Sequence, residues 1–190
     1  MPSGEISTAP IVYESLARGK QVFVPYTHKA LSPNPDLPKS VMDMVSLKSR
    51  DDYESLKPDA WGIPTPSRDS ILEREDCLKE MEAQAQMVGD EEKSTIGLDM
   101  IVMPGMAFDS CLRRLGHGKG FYDFFLKRYQ EHWDKGKGIK ARVPILVGMA
   151  LKEQVLADNL EIPTDETDWL LDRLIVGDGK VLHRGNSEVI

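Results

Sequence analysis

Cysteine is scarce in this 190-residue chain, which carries only Cys77 and Cys111. Two thiols without partner spacing exclude a disulfide framework and a cysteine-based metal site. Both read as reduced, and Cys77, in polar company, is expected at the surface. Positive charge is the minority sign, with 24 Lys and Arg against 31 Asp and Glu. That balance argues against a broad nucleic-acid surface, while leaving room for a local basic pocket. No apolar run is long enough to cross a bilayer. The first residues, MPSGEISTAP, lack the basic start and the apolar stretch of a signal peptide. The reading is a cytoplasmic protein without membrane or nucleic-acid partners; a mitochondrial location fits the residues as well.

The chain does have enough length, and with 41% hydrophobic residues enough apolar content, for a sizeable core. One domain over residues 1–190 is expected. TAPIVYESLARGK reads as a helix, with Thr8 as N-cap, Pro10 in the first turn and Gly19 as its stop. QVFVPY and VMDMVSL read as strands, separated by the irregular loop THKALSPNPDLPKS. KPDAWGIPTP, with three prolines around Trp61, reads as a loop. Residues 68–96 are helix-prone and acidic, and 75–95 within them read as a surface insert. LDMIVMPG is a near-continuous apolar run closed by Pro-Gly, the pattern of a central strand covered on both faces. Beyond it, FYDFFLKRYQEHWDKG reads as a helix, ARVPILVGMAL as a strand and KEQVLADNL as a short helix. DWLLDRLIVGDGKVLHRG closes as two strands turning at Asp178-Gly179. Strands alternating with helices predict an α/β fold: a layered, mainly parallel sheet flanked by helices, with a C-terminal pair of strands.

Chemistry concentrates in RRLGHGKGFYDFFLKR, residues 113–128. A strand, a glycine-rich loop and a helix in that order are suited to phosphate. Glycines let the backbone approach, and the amides and dipole at the helix start favour an anion. Arg114 and Lys119 add the positive charge that phosphate oxygens require. Asp123, one turn into the helix, has the wrong sign for phosphate alone. It suits a Mg²⁺ held between carboxylate and phosphates. The spacing G-x-G-x-G matches neither the P-loop nor the dinucleotide fingerprint. On spacing alone, a glycine-rich turn with solvated basic residues explains the string equally well.

Taken whole, IVMPGMAFDSCLRRLGHGKGFYDFFL resembles the 5-formyltetrahydrofolate cyclo-ligase family. The resemblance is carried by Pro104-Gly105, by Ala107-Phe108-Asp109, and by the run from Arg114 through Asp123. ESLARGKQVFVP, MDMVSL, AWGIPTP, MALKEQ and IPTDETDWLLD extend it in the same order, so only the acidic insert lies outside it. It implies an enzyme that uses ATP to close 5-formyltetrahydrofolate to 5,10-methenyltetrahydrofolate, releasing ADP and phosphate through a phosphorylated formyl group. Catalytic roles fall to Arg114 and Lys119. The implied ATP site comprises Arg114, Leu115, Gly116, His117, Gly118, Lys119, Gly120, Phe121 and Tyr122. The implied folate site combines Glu5, Met42 and Trp61 with residues 117–121 of the same loop, His117, Gly118, Lys119, Gly120 and Phe121. Asp123 and Asp168 are the implied Mg²⁺ carboxylates, and a monomer is expected.

The chain departs from the family pattern at His117, where a basic residue or glycine is common, and at Phe121, where tyrosine is common. It also starts after the basic helix and first strand that family members carry, so weakened ATP binding is expected of it. Two other classes remain open. A catalytically impaired folate- or nucleotide-binding relative would bind 5-formyltetrahydrofolate without hydrolysing ATP. A sugar-phosphate isomerase-like α/β enzyme would need neither ATP nor Mg²⁺.

Overall fold

The computed structural model describes residues 6–30, 38–59, 62–87, 97–134, 143–184 and 186–189. The chain divides into two compact units, Ser7–Gly89 and Asp90–Ile190, with Ile6 belonging to the second. Glu5 and Trp61, two of the expected folate contacts, lie outside the described residues.

The first unit starts with helix α1 (Ala9–Ala17), with Pro10 in its first turn. Strands β1 (Val22–Lys29) and β2 (Ser40–Leu47) follow as an antiparallel pair, Val24 opposite Val45 and His28 opposite Val41. Val24, Val45 and Leu47 form a core on one face, and Val12, Leu16, Tyr26, Tyr53 and Ile71 pack against it. β1 runs three residues into the segment expected to be an irregular loop. The strand continues because Thr27, His28 and Lys29 pair with Met42, Val41 and Ser40, and His28 Nε2 lies 2.6 Å from Asp43 Oδ2 on the diagonal. Helix α2 (Arg50–Glu54) is capped by the Ser49 side chain. The expected loop around Trp61 instead contains a minimal hairpin of β3 (Lys57–Pro58) and β4 (Pro64–Thr65).

Helix α3 (Arg68–Ile71) precedes, and helix α4 (Cys77–Met87) falls within, the region expected to be a surface insert. Part of that insert is structural. Cys77 is fully buried and Met81 nearly so, which corrects the expectation of an exposed Cys77; Cys111 is the exposed thiol. Polar neighbours in sequence do not keep Cys77 at the surface, because a helix turns one residue in three or four inward regardless of what flanks it. Arg74, just before α4, is the staple. Its guanidinium is 4% exposed, donates to Asp52 at 2.8 and 2.5 Å, and donates to the Ser46 carbonyl at 2.7 Å. Those bonds hold the Asp52 carboxyl below its ordinary 3.8, with burial opposing. A depressed carboxylate contributes stability above its unfolded pKa and loses it as pH falls through the folded value. Arg74→Met is therefore expected to cost about 2 kcal/mol near neutral pH. It should also flatten the acid side of the stability profile, read by urea unfolding across pH; a parallel-shifted profile would show that the pair is not the titrating element.

The second unit is built on a five-stranded sheet. Strand β5 (Met100–Met103) leads to the short hairpin β6 (Ala107–Phe108) and β7 (Arg114–Leu115), then to helix α5 (Phe121–Asp134). β8 (Ile145–Ala150), β9 (Arg173–Val176), β10 (Lys180–His183) and β11 (Asn186–Val189) complete it. The order is β11-β10-β9-β8-β5. β5, β8 and β9 run parallel, and β9, β10 and β11 are antiparallel neighbours. The α/β class and the terminal strand pair at Asp178-Gly179 are as the sequence predicts. β5 is not central among the described residues: it pairs only with β8, and Met100 is 47% exposed. A four-residue apolar run satisfies an edge strand that alternates between a covered face and a freer one. The segment after β8 makes only a 3₁₀ turn, Lys152–Gln154, where a helix was expected. Gln154 explains the stop: its amide donates to the Gly105 carbonyl at 2.9 Å and its oxygen accepts from Leu151 N at 2.8 Å. Those bonds tie the turn to the loop after β5.

Phe108 and Met103 are fully buried in this unit, as are Leu171 and Leu174. Two glycines make room. A Cβ on Gly105 would stand 2.6 Å from the Phe108 ring, and one on Gly148 would stand 2.6 Å from Leu171 Cδ1. Packed interiors do not absorb such overlaps without strain. The Pro-Gly that closes β5 is thus a packing requirement of Phe108. Among the described residues, no helix is long and apolar enough to cross a membrane.

Candidate active site

Asp109 organises the approach to the loop. It is 1% exposed, and its carboxylate accepts three backbone N–H groups: Cys111 and Arg113 at 3.0 Å and Ile162 at 2.9 Å. Arg113 Nη1 lies 3.6 Å away and donates to Glu161 at 2.6 Å. Within this turn Leu112 is left-handed, with φ 64°, a conformation that costs a β-carbon about 1–2 kcal/mol. The turn is held there by Leu112 N on the Asp109 carbonyl and by Leu171 N on the Leu112 carbonyl. Its effect is to return the chain as β7, with Arg114 opposite Phe108.

From β7 the chain enters the glycine loop. Gly118 and Gly120 have φ of +70° and +62°, positions where any side chain would be strained. The Gly120 carbonyl accepts from Phe124 N at 2.9 Å, so α5 begins there. The first-turn amides of α5, without intrahelical acceptors, face the loop end. α5 is anchored by Phe125, Leu126 and Tyr129, all buried, and the Tyr129 hydroxyl accepts from Leu98 N at 3.0 Å. Lys119 is exposed at the loop tip, and its ammonium makes no ion pair with a described residue. Leu115, His117 and the three loop glycines around it share this stretch; Phe121 and Tyr122 open the helix.

Arg114 and Asp123, expected to serve phosphate and metal respectively, are joined. Arg114 Nη2 donates to both Asp123 oxygens, at 2.7 and 2.6 Å, and the two side chains are only 8% and 15% exposed. The Arg114 guanidinium also lies 5.9 Å from the Tyr122 ring centre, within cation–π range. Burial pushes the Tyr122 hydroxyl up to about 12, with Arg114 opposing, so the ring is neutral at physiological pH. Asp123 Oδ1 also accepts from Trp169 N at 3.3 Å. This bond brings the segment of Asp168 to the start of α5. Asp168 itself is exposed, and its carboxylate accepts from Asp165 N at 2.9 Å. Met42, by contrast, is 2% exposed on β2 in the first unit.

Among the described residues no group of three or more His, Cys, Asp or Glu could hold a metal. Mg²⁺ asks for less: one or two carboxylates, with phosphate and water completing its shell. Carboxylate oxygens such as those of Asp123 and Asp168 are of the hard type that suits a metal arriving with a polyphosphate better than one bound by protein alone. Asp109 and Trp169 were not expected as site-building residues. A buried acid beside a left-handed leucine has no periodic signature, and the Trp169 contribution is a backbone amide.

A sheet that delivers a glycine loop, an internal Arg–Asp pair and an exposed lysine to the start of a helix defines an α/β protein with a candidate anion site. The particular family follows from comparison. The family model for 5-formyltetrahydrofolate cyclo-ligases matches residues 1–177. Over 175 residues the chain is 34% identical to a Schizosaccharomyces pombe protein named "Probable 5-formyltetrahydrofolate cyclo-ligase", covering 92% of this chain and 70% of that one. A Caenorhabditis elegans protein of the same name is 31% identical over 173 residues, covering 91% of this chain and 68% of its own length. The Mus musculus 5-formyltetrahydrofolate cyclo-ligase is 32% identical over 175 residues, 92% of this chain and 68% of the mouse protein. The chain belongs to the 5-formyltetrahydrofolate cyclo-ligase family, a family of ligases.

Proposed function

We propose that the chain converts 5-formyltetrahydrofolate and ATP to 5,10-methenyltetrahydrofolate, ADP and phosphate. The observation that carries this reading is the loop itself. Arg114, the left-handed glycines, exposed Lys119 and the first turn of α5 form one continuous stretch in a chain of this family.

The chemistry asks for such a loop. A formyl oxygen is a poor leaving group. Its attack on the terminal phosphorus of ATP releases ADP and leaves the oxygen phosphorylated. N10 of the folate then attacks the formyl carbon, N10 loses its proton, and phosphate leaves with the carbon–oxygen bonding pair, closing the ring. Phosphoryl transfer depends on positioning and charge neutralisation more than on covalent help from the protein. Lys119 is the mobile charge on the transferring group, and Arg114 the fixed one. The amides at residues 116–122 line the nucleotide phosphates. Asp123 and Asp168 would hold Mg²⁺, which would supply charge neutralisation for the phosphates. The loop from His117 to Phe121 contacts the folate; Glu5, Met42 and Trp61 are assigned to folate on the family resemblance alone. The protein works as a monomer, in the cytoplasm or the mitochondrion.

The test is a coupled measurement. The chain is mixed with ATP, Mg²⁺ and 5-formyltetrahydrofolate, and the methenyl product is followed by absorbance while phosphate is counted. One phosphate per methenyl group is expected. Product formed without ATP would sink the reading, as would tight folate binding with no phosphate release.

A further inference from the structure

Arg114 is under-used for so buried a cation. Both of its bonds to Asp123 run through one nitrogen, Nη2. A side-on pair would engage two nitrogens in a fork. Nε is buried and has no hydrogen-bond partner, in a side chain that is 92% removed from solvent. An orphaned buried donor is costly and calls for an acceptor. Nη1 points to the loop: a Cβ on Gly116 would stand 3.2 Å from it, so the glycine lets the guanidinium lie against the loop backbone. Asp123, for its part, accepts from Nη2 and from Trp169 N.

We propose that the Arg114–Asp123 ion pair is an exchangeable lock on the loop, opened by a divalent cation and a polyphosphate arriving together. The cation takes the Asp123 carboxylate and the freed guanidinium takes phosphate oxygens. This rests on the reading of the loop as a nucleotide site. Locked, the pair is electrically neutral and attracts neither ligand strongly. A polyphosphate alone meets Asp123, and a cation alone meets Arg114. Each ligand releases the group that the other needs, which makes their binding mutually cooperative. The single-nitrogen attachment keeps the lock openable, while Tyr122 beside the guanidinium gives the cation a neutral face in either state.

The experiment measures each ligand alone, without turnover: Mn²⁺ by the paramagnetic signal of the free ion, and tripolyphosphate by calorimetry in chelator. Arg114→Met is expected to bind Mn²⁺ at least about tenfold tighter than the parent chain. Asp123→Asn, close to isosteric, is expected to bind metal-free tripolyphosphate tighter by a similar factor. Arg113→Met removes the same charge one residue away, from a side chain bonded to Glu161 instead. It should leave Mn²⁺ affinity within about twofold. Unchanged ligand affinities in both pair variants would overturn the lock, as would an Arg113→Met effect equal to that of Arg114→Met. If the variants behave as stated but ATP fails to displace tripolyphosphate, the lock stands and the ATP-dependent cyclo-ligase reading fails.

Discussion

Replacing Lys119 by alanine is expected to lower kcat/KM for ATP about 10²–10³-fold, the effect of removing one charge-stabilising donor from a site where charge moves. Stability should stay within about 0.5 kcal/mol of the parent. The separation follows from position. Lys119 is exposed between two left-handed glycines and makes no ion pair with a described residue, so the fold does not lean on it. Arginine should restore only part of the rate, because a planar fork does not replace a compact ammonium on a flexible stem. Steady-state kinetics and a thermal melt on the same preparations decide the matter. Turnover within about twofold of the parent would remove Lys119 from the reaction.

The largest effect on stability is expected at Asp109, which touches no proposed ligand. Asp109→Ala strands three N–H groups, a buried one at Ile162 and part-buried ones at Cys111 and Arg113, and takes the nearby carboxylate from Arg113. Each unsatisfied donor costs about 1–3 kcal/mol, and relaxation of the turn recovers part of it. A net loss of about 4 kcal/mol is expected in urea unfolding, with the slope against urea unchanged. Asp109→Asn keeps one acceptor oxygen and should lose less. Activity should fall with the alanine variant even where it is folded, because the left-handed turn at Leu112 sets β7 and therefore Arg114. A loss below about 1 kcal/mol would mean that the turn stands on its backbone bonds alone.

Much of the architecture was legible because it rests on local pattern. Pro10 at the start of α1, the turn at Asp178-Gly179, and the order of strand, loop and helix from Met100 to Asp134 each follow from short-range rules. Elements whose state depends on remote partners were not legible. Cys77 is buried although its neighbours in sequence are polar. Residues 152–154 stop at one 3₁₀ turn because Gln154 reaches back to Gly105. β1 runs on through His28 because β2 offers it a partner. Among the described residues, the one-sided pairing of β5 is likewise a property of the sheet order, which no apolar count contains.

The sequence by itself determined the α/β class, the family, and the location of the charged loop. These depend on residue types at close spacing, where glycine conformations, helix ends and a lysine are read directly. Only the tertiary structure decided the state of the charges. Arg114 and Asp123 sit nine residues apart and read as two independent ligands, one for phosphate and one for metal. Folding brings them within 2.6 Å in a nearly dry setting, where opposite charges must pair with each other until something better arrives.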